Sequence, residues 1–108
     1  MADYRFTVPP SVSSGRTVFR ARNAGRLDHE LVLVVLPEDF PISIDAQLNS
    51  DKRTAFATRA YLPSRPSGAS GTFATDLGHG RYALICFVRD ADGKEHARKG
   101  MSAEFRVR

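Results

Sequence analysis

Apolar and polar residues alternate through much of this chain, and a period of two predicts β-strands. The segment from His29 to Leu36 is apolar almost throughout, which is typical of a central strand buried on both faces. Glycine, proline, asparagine and aspartate separate the patterned segments and predict turns. The strands predicted in this way cover residues 4–8, 17–23, 29–36, 71–75, 81–88 and 101–107. Short strands with turns between them predict an all-β, antiparallel sandwich.

Residues 38–66 do not share this pattern. Their apolar positions Ile44, Leu48 and Phe56 form neither an alternation nor a long helical stripe. We predict a variable insertion at about residues 38–66, in which the pattern allows one short helix. The proline-rich stretch at 63–68 predicts a loop. No repeat or second domain is visible, so we expect residues 1–108 to form a single domain.

The length and composition agree with one modest hydrophobic core. The chain has 108 residues, 42% hydrophobic and 26% charged, with no apolar run long enough to span a membrane. No charged-then-apolar leader is present, and Ala2 and Asp3 resemble the edge of a trimmed chain, with a natural start as the alternative. If the protein is exported, we expect its signal or anchor to have been removed. The single cysteine excludes an internal disulfide, so stability must come from packing, with help from any bound metal.

Positive charge is spread along the chain and does not form one basic segment. The net charge is +4, and 13 of the 16 basic residues are arginine. Several arginines alternate with apolar residues, which indicates solvated strand faces. Docking to an acidic protein or to anionic lipid stays open. Nucleic-acid binding is not expected, because no stacking motif of basic and aromatic residues occurs.

The residues with metal-binding chemistry lie mainly near the C-terminus. Cys86, His96 and Met101 follow one another around a predicted loop, and His29 opens the central strand. A thiolate, two imidazoles and a weak axial thioether are the ligand types of a blue-copper site. Taken singly, each residue also fits a plain structural role. Cys86 and Met101 suit a core, and the two histidines suit a loop and a turn.

In these segments the chain resembles the cupredoxins, the plastocyanin and azurin group of blue-copper proteins. Asn23-Ala-Gly25 followed by His29 is similar to the segment that carries the group's first imidazole. Gly80-Arg-Tyr82-x-x-x-Cys86 resembles its Gly-x-Tyr-x-x-x-Cys segment, and His96-x4-Met101 resembles its ligand loop. The resemblance covers most of the chain outside residues 38–66. It implies a Greek-key β-sandwich with one copper ion held by His29, Cys86, His96 and axial Met101.

Two departures from the group's pattern affect these expectations. Nine residues, Phe87 to Glu95, separate Cys86 from His96, where the group usually has only a few. We expect the longer loop to loosen His96, although closing it costs only fractions of a kcal/mol more. Glu30 follows the first histidine, where the group often has an asparagine that steadies the ligand loop. What steadies the loop in this chain is therefore not predicted.

The resemblance implies one-electron transfer with a redox partner protein, by a monomer that works in the periplasm or outside the cell. His96 is the expected electron exit, and Arg98 and Lys99 beside it would orient an acidic partner. A copper(I) carrier or sensor and a metal-free interaction domain are the alternatives. An enzyme is not expected, because Cys86, His96 and Asp90 match no nucleophile signature.

Two further residues have structural predictions. Tyr82 is expected to form a tyrosine corner, in which its hydroxyl ties down a connection between strands. His79, in a tight Gly-His-Gly turn, is expected at the surface.

Overall fold

The computed structural model describes residues 1, 3–8, 11–50 and 56–108. In these ranges the chain forms two β-sheets, one short α-helix and one 3₁₀ turn. The strands are β1 (Ser11–Val12), β2 (Gly15–Arg22), β3 (His29–Leu36), β4 (Ala57–Arg65), β5 (Ser70–Leu77), β6 (Gly80–Ile85) and β7 (Ser102–Val107). The helix α1 covers Ile44–Leu48, and the 3₁₀ turn covers His96–Lys99. The predicted all-β sandwich with a short helix in the 38–66 segment is confirmed.

The larger sheet has the strand order β1-β7-β6-β3-β4, and β2 pairs with β5 in the smaller one. The chain crosses between the sheets after β1, after β2, after β4 and again after β5. β1 runs parallel to β7, whereas the other pairs are antiparallel. β3 lies between β6 and β4, as its apolar sequence predicted.

The core explains why β3 is apolar on both faces. Leu31 and Leu33 point between the two sheets, where Phe19 stacks on Phe73 with ring centroids 4.9 Å apart. Val32 and Val34 point to the opposite face and belong to a second cluster, which α1 covers with Ile44 and Leu48. Full burial of a side chain of this size stabilises the fold by about 1.5–3 kcal/mol.

The segment predicted as an insertion contains an edge strand. β4 pairs with β3 from His29↔Arg65 to Val35↔Ala57. The predicted loop at 63–68 is therefore wrong for Pro63 to Arg65, which belong to this strand. The alternation was hard to detect because most residues of β4 are exposed and Leu62 alone among them is buried. Proline is tolerated at such an edge because one side of the strand needs no hydrogen-bond partner. Residues 51–55 lie outside the described residues.

The predicted strand over residues 4–8 is wrong. Asp3 and Tyr4 form a turn, and Tyr4 has a φ of 62°, which is uncommon for a bulky residue. Phe6 is buried in the core, so the apolar pattern reports burial of an irregular segment. The following strand, β1, lies between the predicted strands 4–8 and 17–23, where the residues from Ser11 to Gly15 predict a turn. Pro9 and Pro10, predicted to end the strand, lie outside the described residues.

Two smaller predictions are confirmed. The Tyr82 hydroxyl donates to the Gly78 carbonyl at 2.9 Å, as expected of a tyrosine corner. His79 is exposed. β6 ends at Ile85, shorter than predicted, so that Cys86 stands just beyond the strand. Among the described residues, no helix has the length and apolar character needed to cross a membrane.

Candidate metal centre

Three of the predicted ligand side chains converge at one end of the sandwich. His29 opens β3, Cys86 follows β6, and His96 begins the 3₁₀ turn. The Nδ1 atoms of His29 and His96 lie 3.1 Å apart, and Cys86 Sγ lies 3.6 Å from His96 Nδ1. All three residues are buried, and one ligand atom from each lies within 4.8 Å of the others. Two imidazoles and a thiol thus face one another away from solvent.

Met101, the fourth predicted ligand, is held beside this group through its backbone. Its N–H donates to the His96 carbonyl at 3.1 Å, and its own carbonyl accepts from the Cys86 N–H at 3.3 Å. Its side chain is fully buried and belongs to the same apolar cluster as Cys86. Gly100, with a φ of 97°, provides the left-handed residue that ends the 3₁₀ turn just before Met101.

The nine residues between Cys86 and His96 fold back on themselves. Arg89 and Glu95 form an isolated antiparallel bridge, and the Asp90 N–H donates to the Lys94 carbonyl at 2.9 Å. The His96 N–H then donates to the Val88 carbonyl at 2.7 Å, which returns the histidine to the level of Cys86. Our expectation that the longer loop would loosen His96 is therefore wrong. The extra residues form a small hairpin that fixes His96.

Glu30 ties the two ligand-bearing segments together. Its Oε1 accepts from the Phe87 N–H at 3.0 Å, and its Oε2 accepts from the Tyr61 hydroxyl at 2.8 Å. The backbone amides of Glu30 and Val88 also hydrogen-bond to the Cys86 sulfur. Burial raises the pKa of the Cys86 thiol above its usual value, and these amide hydrogen bonds oppose that rise. Glu30 thus steadies the Cys86 segment.

Each histidine is held at its second ring nitrogen by a carboxylate. His29 Nε2 lies 2.8 Å from Asp3 Oδ1, and His96 Nε2 lies 2.7 Å from Asp90 Oδ1. Hydrogen bonds from the amides of Arg26 and Leu27, and then from His29, lower the pKa of Asp3 to about 2. Asp3 is therefore ionised near neutral pH and can only accept hydrogen bonds.

Asp90 has its own supporting contacts. Its Oδ2 accepts from the Lys99 ammonium at 2.5 Å and from the Tyr4 hydroxyl at 2.6 Å. These two hydrogen bonds, and then the one from His96, hold the pKa of Asp90 well below its usual range. The Tyr4 ring also packs edge-on against the His96 imidazole, with centroids 5.3 Å apart. The unusual backbone conformation of Tyr4 thus places its side chain against both partners.

His96 was expected to be the electron exit on an outer loop, but the structure buries it. His96 is 1% exposed, and Asp90 covers its outer nitrogen. Lys99, predicted to orient a partner, instead pairs with Asp90 and Asp92, and Arg98 lies 3.7 Å from Glu95. The segment predicted as an outer loop is a 3₁₀ turn, and this turn directs the His96 side chain inward. An electron that passes this histidine has to cross the residues that cover it.

The hydrogen bonds assign the tautomers of the two imidazoles. When a carboxylate accepts from Nε2–H, a neutral ring presents an unprotonated Nδ1. His29 and His96 then direct two nitrogen lone pairs at each other from 3.1 Å, next to the Cys86 sulfur. Such an arrangement needs a proton or a metal cation between the donors. Nitrogen atoms about 2.0–2.1 Å from a shared ion stand roughly 3.1–3.6 Å apart, so the spacing of the two imidazole nitrogens suits one shared metal ion.

Sequence reasoning missed Asp3, Asp90 and Tyr4 as site residues. Asp3 was interpreted as the edge of a trimmed chain, and Asp90 was considered only in a discarded nucleophile set. The sequence feature that points to Asp3 is the glycine at position 25, within the segment before His29. A Cβ at Gly25 would lie 2.2 Å from Asp3 Oδ1, so this glycine makes room for the carboxylate.

The architecture is the cupredoxin fold, because solved structures of rusticyanin and auracyanin resemble it closely. A scan against protein-family models finds no match, and a search of curated proteins finds none either. The similarity is therefore one of structure.

Reduced rusticyanin matches with a TM-score of 0.63 and 14% identity over 91% of this chain. Rusticyanin from Thiobacillus ferrooxidans gives 0.60 and 15% over the same share. Auracyanin from the photosynthetic bacterium Roseiflexus castenholzii gives 0.62 and 21%, covering 97% of this chain and 84% of its own. The chain spans 61% of the length of the first rusticyanin. At these identities the similarity establishes the fold.

Proposed function

We propose that this protein binds one copper ion in a type 1 site and transfers single electrons. The ligands would be Nδ1 of His29, Nδ1 of His96 and Sγ of Cys86, with Met101 as the weak axial ligand. The observation that carries the proposal is the buried convergence of two imidazole nitrogens and one sulfur. This combination of soft and nitrogen donors suits copper. One of the similar rusticyanin structures is described as that of a copper protein.

The surrounding residues favour electron transfer over metal delivery. Bound copper would supply the chemistry, by accepting and giving one electron between Cu(I) and Cu(II). The chain keeps the donors in place: Asp3 and Asp90 hold the imidazoles, and Glu30 holds the segment after Cys86. Donors fixed in this way limit the rearrangement that accompanies each electron. A copper carrier would instead need a site that opens.

We further propose that a redox partner docks over the cleft outside His96. This cleft has a volume of about 350 Å³ and His96 forms part of its wall. The cleft is also lined by two arginines, Arg26 and Arg89, and by two aspartates, Asp28 and Asp90, so its charges are balanced. The docking proposal therefore depends on the position of the cleft next to His96. Electron exchange would then cross Asp90, the residue that covers the imidazole.

The proposal also covers the domain organisation, the oligomeric state and the location of the protein. Residues 1–108 would act as one domain, since Ala21, Leu77 and Leu33 from both sheets share one core cluster. We propose a monomeric electron carrier, not an enzyme, that works in the periplasm or outside the cell, as the resemblance to cupredoxins implies.

The test is to add stoichiometric Cu(II) to the purified protein and to record its visible spectrum. We expect an intense thiolate-to-copper band that disappears in Cys86→Ala. His79→Ala, which removes an exposed histidine, is the matched control and should keep the band. Absence of the band together with absence of tight Cu(I) binding would overturn the proposal in favour of a metal-free interaction domain. A band with slow electron self-exchange would favour the carrier.

A further inference from the structure

Both candidate ligand histidines are held at Nε2 by a carboxylate, although the two carboxylates come from distant parts of the chain. Asp3 precedes the first strand, and Asp90 lies in the hairpin between Cys86 and His96. The Nε2–Oδ1 distances are 2.8 Å and 2.7 Å, within the range of charge-assisted hydrogen bonds. The same contact therefore occurs twice, on the two imidazoles that face the sulfur.

We propose that Asp3 and Asp90 are positioning residues that hold both imidazoles with Nδ1 towards the metal and favour Cu(II) over Cu(I). The inference rests on the proposed copper function and adds the residues that tune it. A carboxylate that accepts from Nε2–H increases the basicity of the ring and stabilises the more highly charged metal ion.

Each carboxylate is itself fixed, which a positioning role requires. The amides of Arg26 and Leu27 donate to Asp3 at 3.0–3.1 Å, and the missing side chain of Gly25 leaves space for it. Tyr4 and Lys99 fix Asp90. Lys99 places a positive charge against Asp90, whereas Asp3 has backbone amides as partners. We therefore expect Asp3 to have the larger electrostatic effect.

The positioning role is tested first without copper. In nitrogen-15 spectra of the metal-free protein, we expect the rings of His29 and His96 each to carry a slowly exchanging proton on Nε2. Asp90→Ala should lose the His96 signal and keep that of His29, and Asp90→Asn should keep both because its amide oxygen still accepts. Nε2 atoms without protons in the wild type would overturn the inference, whether or not the protein binds copper.

The charge effect is tested on the copper-loaded protein. Asp3→Asn and Asp90→Asn keep an acceptor oxygen but remove a negative charge. We expect Asp3→Asn to lower the affinity for Cu(II) about tenfold relative to Cu(I), which is a rise of about 59 mV in reduction potential. Asp90→Asn should change the affinity ratio in the same direction by a smaller factor, because Lys99 offsets the charge of Asp90. An unchanged ratio of the two affinities would contradict the inference.

Matched controls separate direct contact from net charge. Asp28→Asn removes the same charge next to His29 in sequence, and Asp92→Asn removes it from the other partner of Lys99. In the contacts described for this structure, neither carboxylate is bonded to His29 or His96. We expect both variants to change the affinity ratio by less than about twofold. If the control variants changed the affinity ratio as much as the Asp3 and Asp90 variants, the effect would be one of net charge, and the positioning role would be refuted.

Discussion

The carboxylate of Glu30 accepts a hydrogen bond from the backbone amide of Phe87 at 3.0 Å. This contact joins the residue after His29 to the residue after Cys86, although 57 positions separate them. It lies where the group that the sequence resembles often has an asparagine, and it gives Glu30 a defined role in the site.

In Glu30→Ala, the Phe87 amide and the Tyr61 hydroxyl lose their acceptor. We expect a loss of about 1–2 kcal/mol in the free energy of unfolding and a broadened, shifted copper band. Glu30→Gln is the control, because its amide oxygen still accepts from Phe87. Denaturant unfolding and the visible spectrum of the copper-loaded protein measure both effects. An alanine variant with a wild-type spectrum would show that Glu30 does not steady Cys86.

Gly25→Ala should disturb the metal site indirectly, by displacing the Asp3 carboxylate that holds His29. The new methyl group would lie 2.2 Å from Asp3 Oδ1, so the carboxylate has to leave His29. We expect a Cu(II) affinity lowered about 10- to 100-fold, as for the loss of other groups that orient a metal ligand. Gly78→Ala is the control, because a Cβ there meets no atom within 4 Å. Equal affinities of the two variants, measured by competition with a chelator, would contradict this expectation.

Tyr82→Phe tests the tyrosine corner. The substitution removes the hydroxyl that donates to Gly78 but keeps the ring, which stacks on Phe105. We expect the free energy of unfolding to fall by about 1 kcal/mol with an unchanged denaturant m value. Tyr61→Phe, at a side chain that is 52% exposed, should cost less than about 0.5 kcal/mol. If the Tyr82→Phe variant were as stable as the wild type, the tyrosine corner would not contribute to stability.

Copper should stabilise the folded chain by mass action. The donors come from three segments that meet only in the fold, so the ion binds the native state in preference to the unfolded state. Free copper at about 100 times its dissociation constant should add about 2.7 kcal/mol and raise the melting temperature. Removal of the metal with a chelator should reverse the rise. Cys86→Ala should show little shift, and a full shift in that variant would place the binding site elsewhere.

Local pattern was enough to predict much of the architecture. The apolar run of β3 predicted a central strand with the bounds that the structure has, because burial on both faces leaves a continuous hydrophobic sequence. The alternation before Val107 predicted the last strand to within one residue. Edge strand β4 was missed because a strand exposed on most positions has little hydrophobic signal.

The sequence by itself determined the candidate donors, because cysteine, histidine and methionine are rare in this chain and stand in a recognisable order. Tertiary structure alone decided what surrounds them. Tyr4 donates to Asp90 across 86 positions, and Asp3 reaches His29 across 26. Hydrogen bonds of this kind depend on where an irregular segment and a hairpin come together in space. Hydrophobic periodicity reports only which face of a segment is buried, so these contacts leave no trace in it.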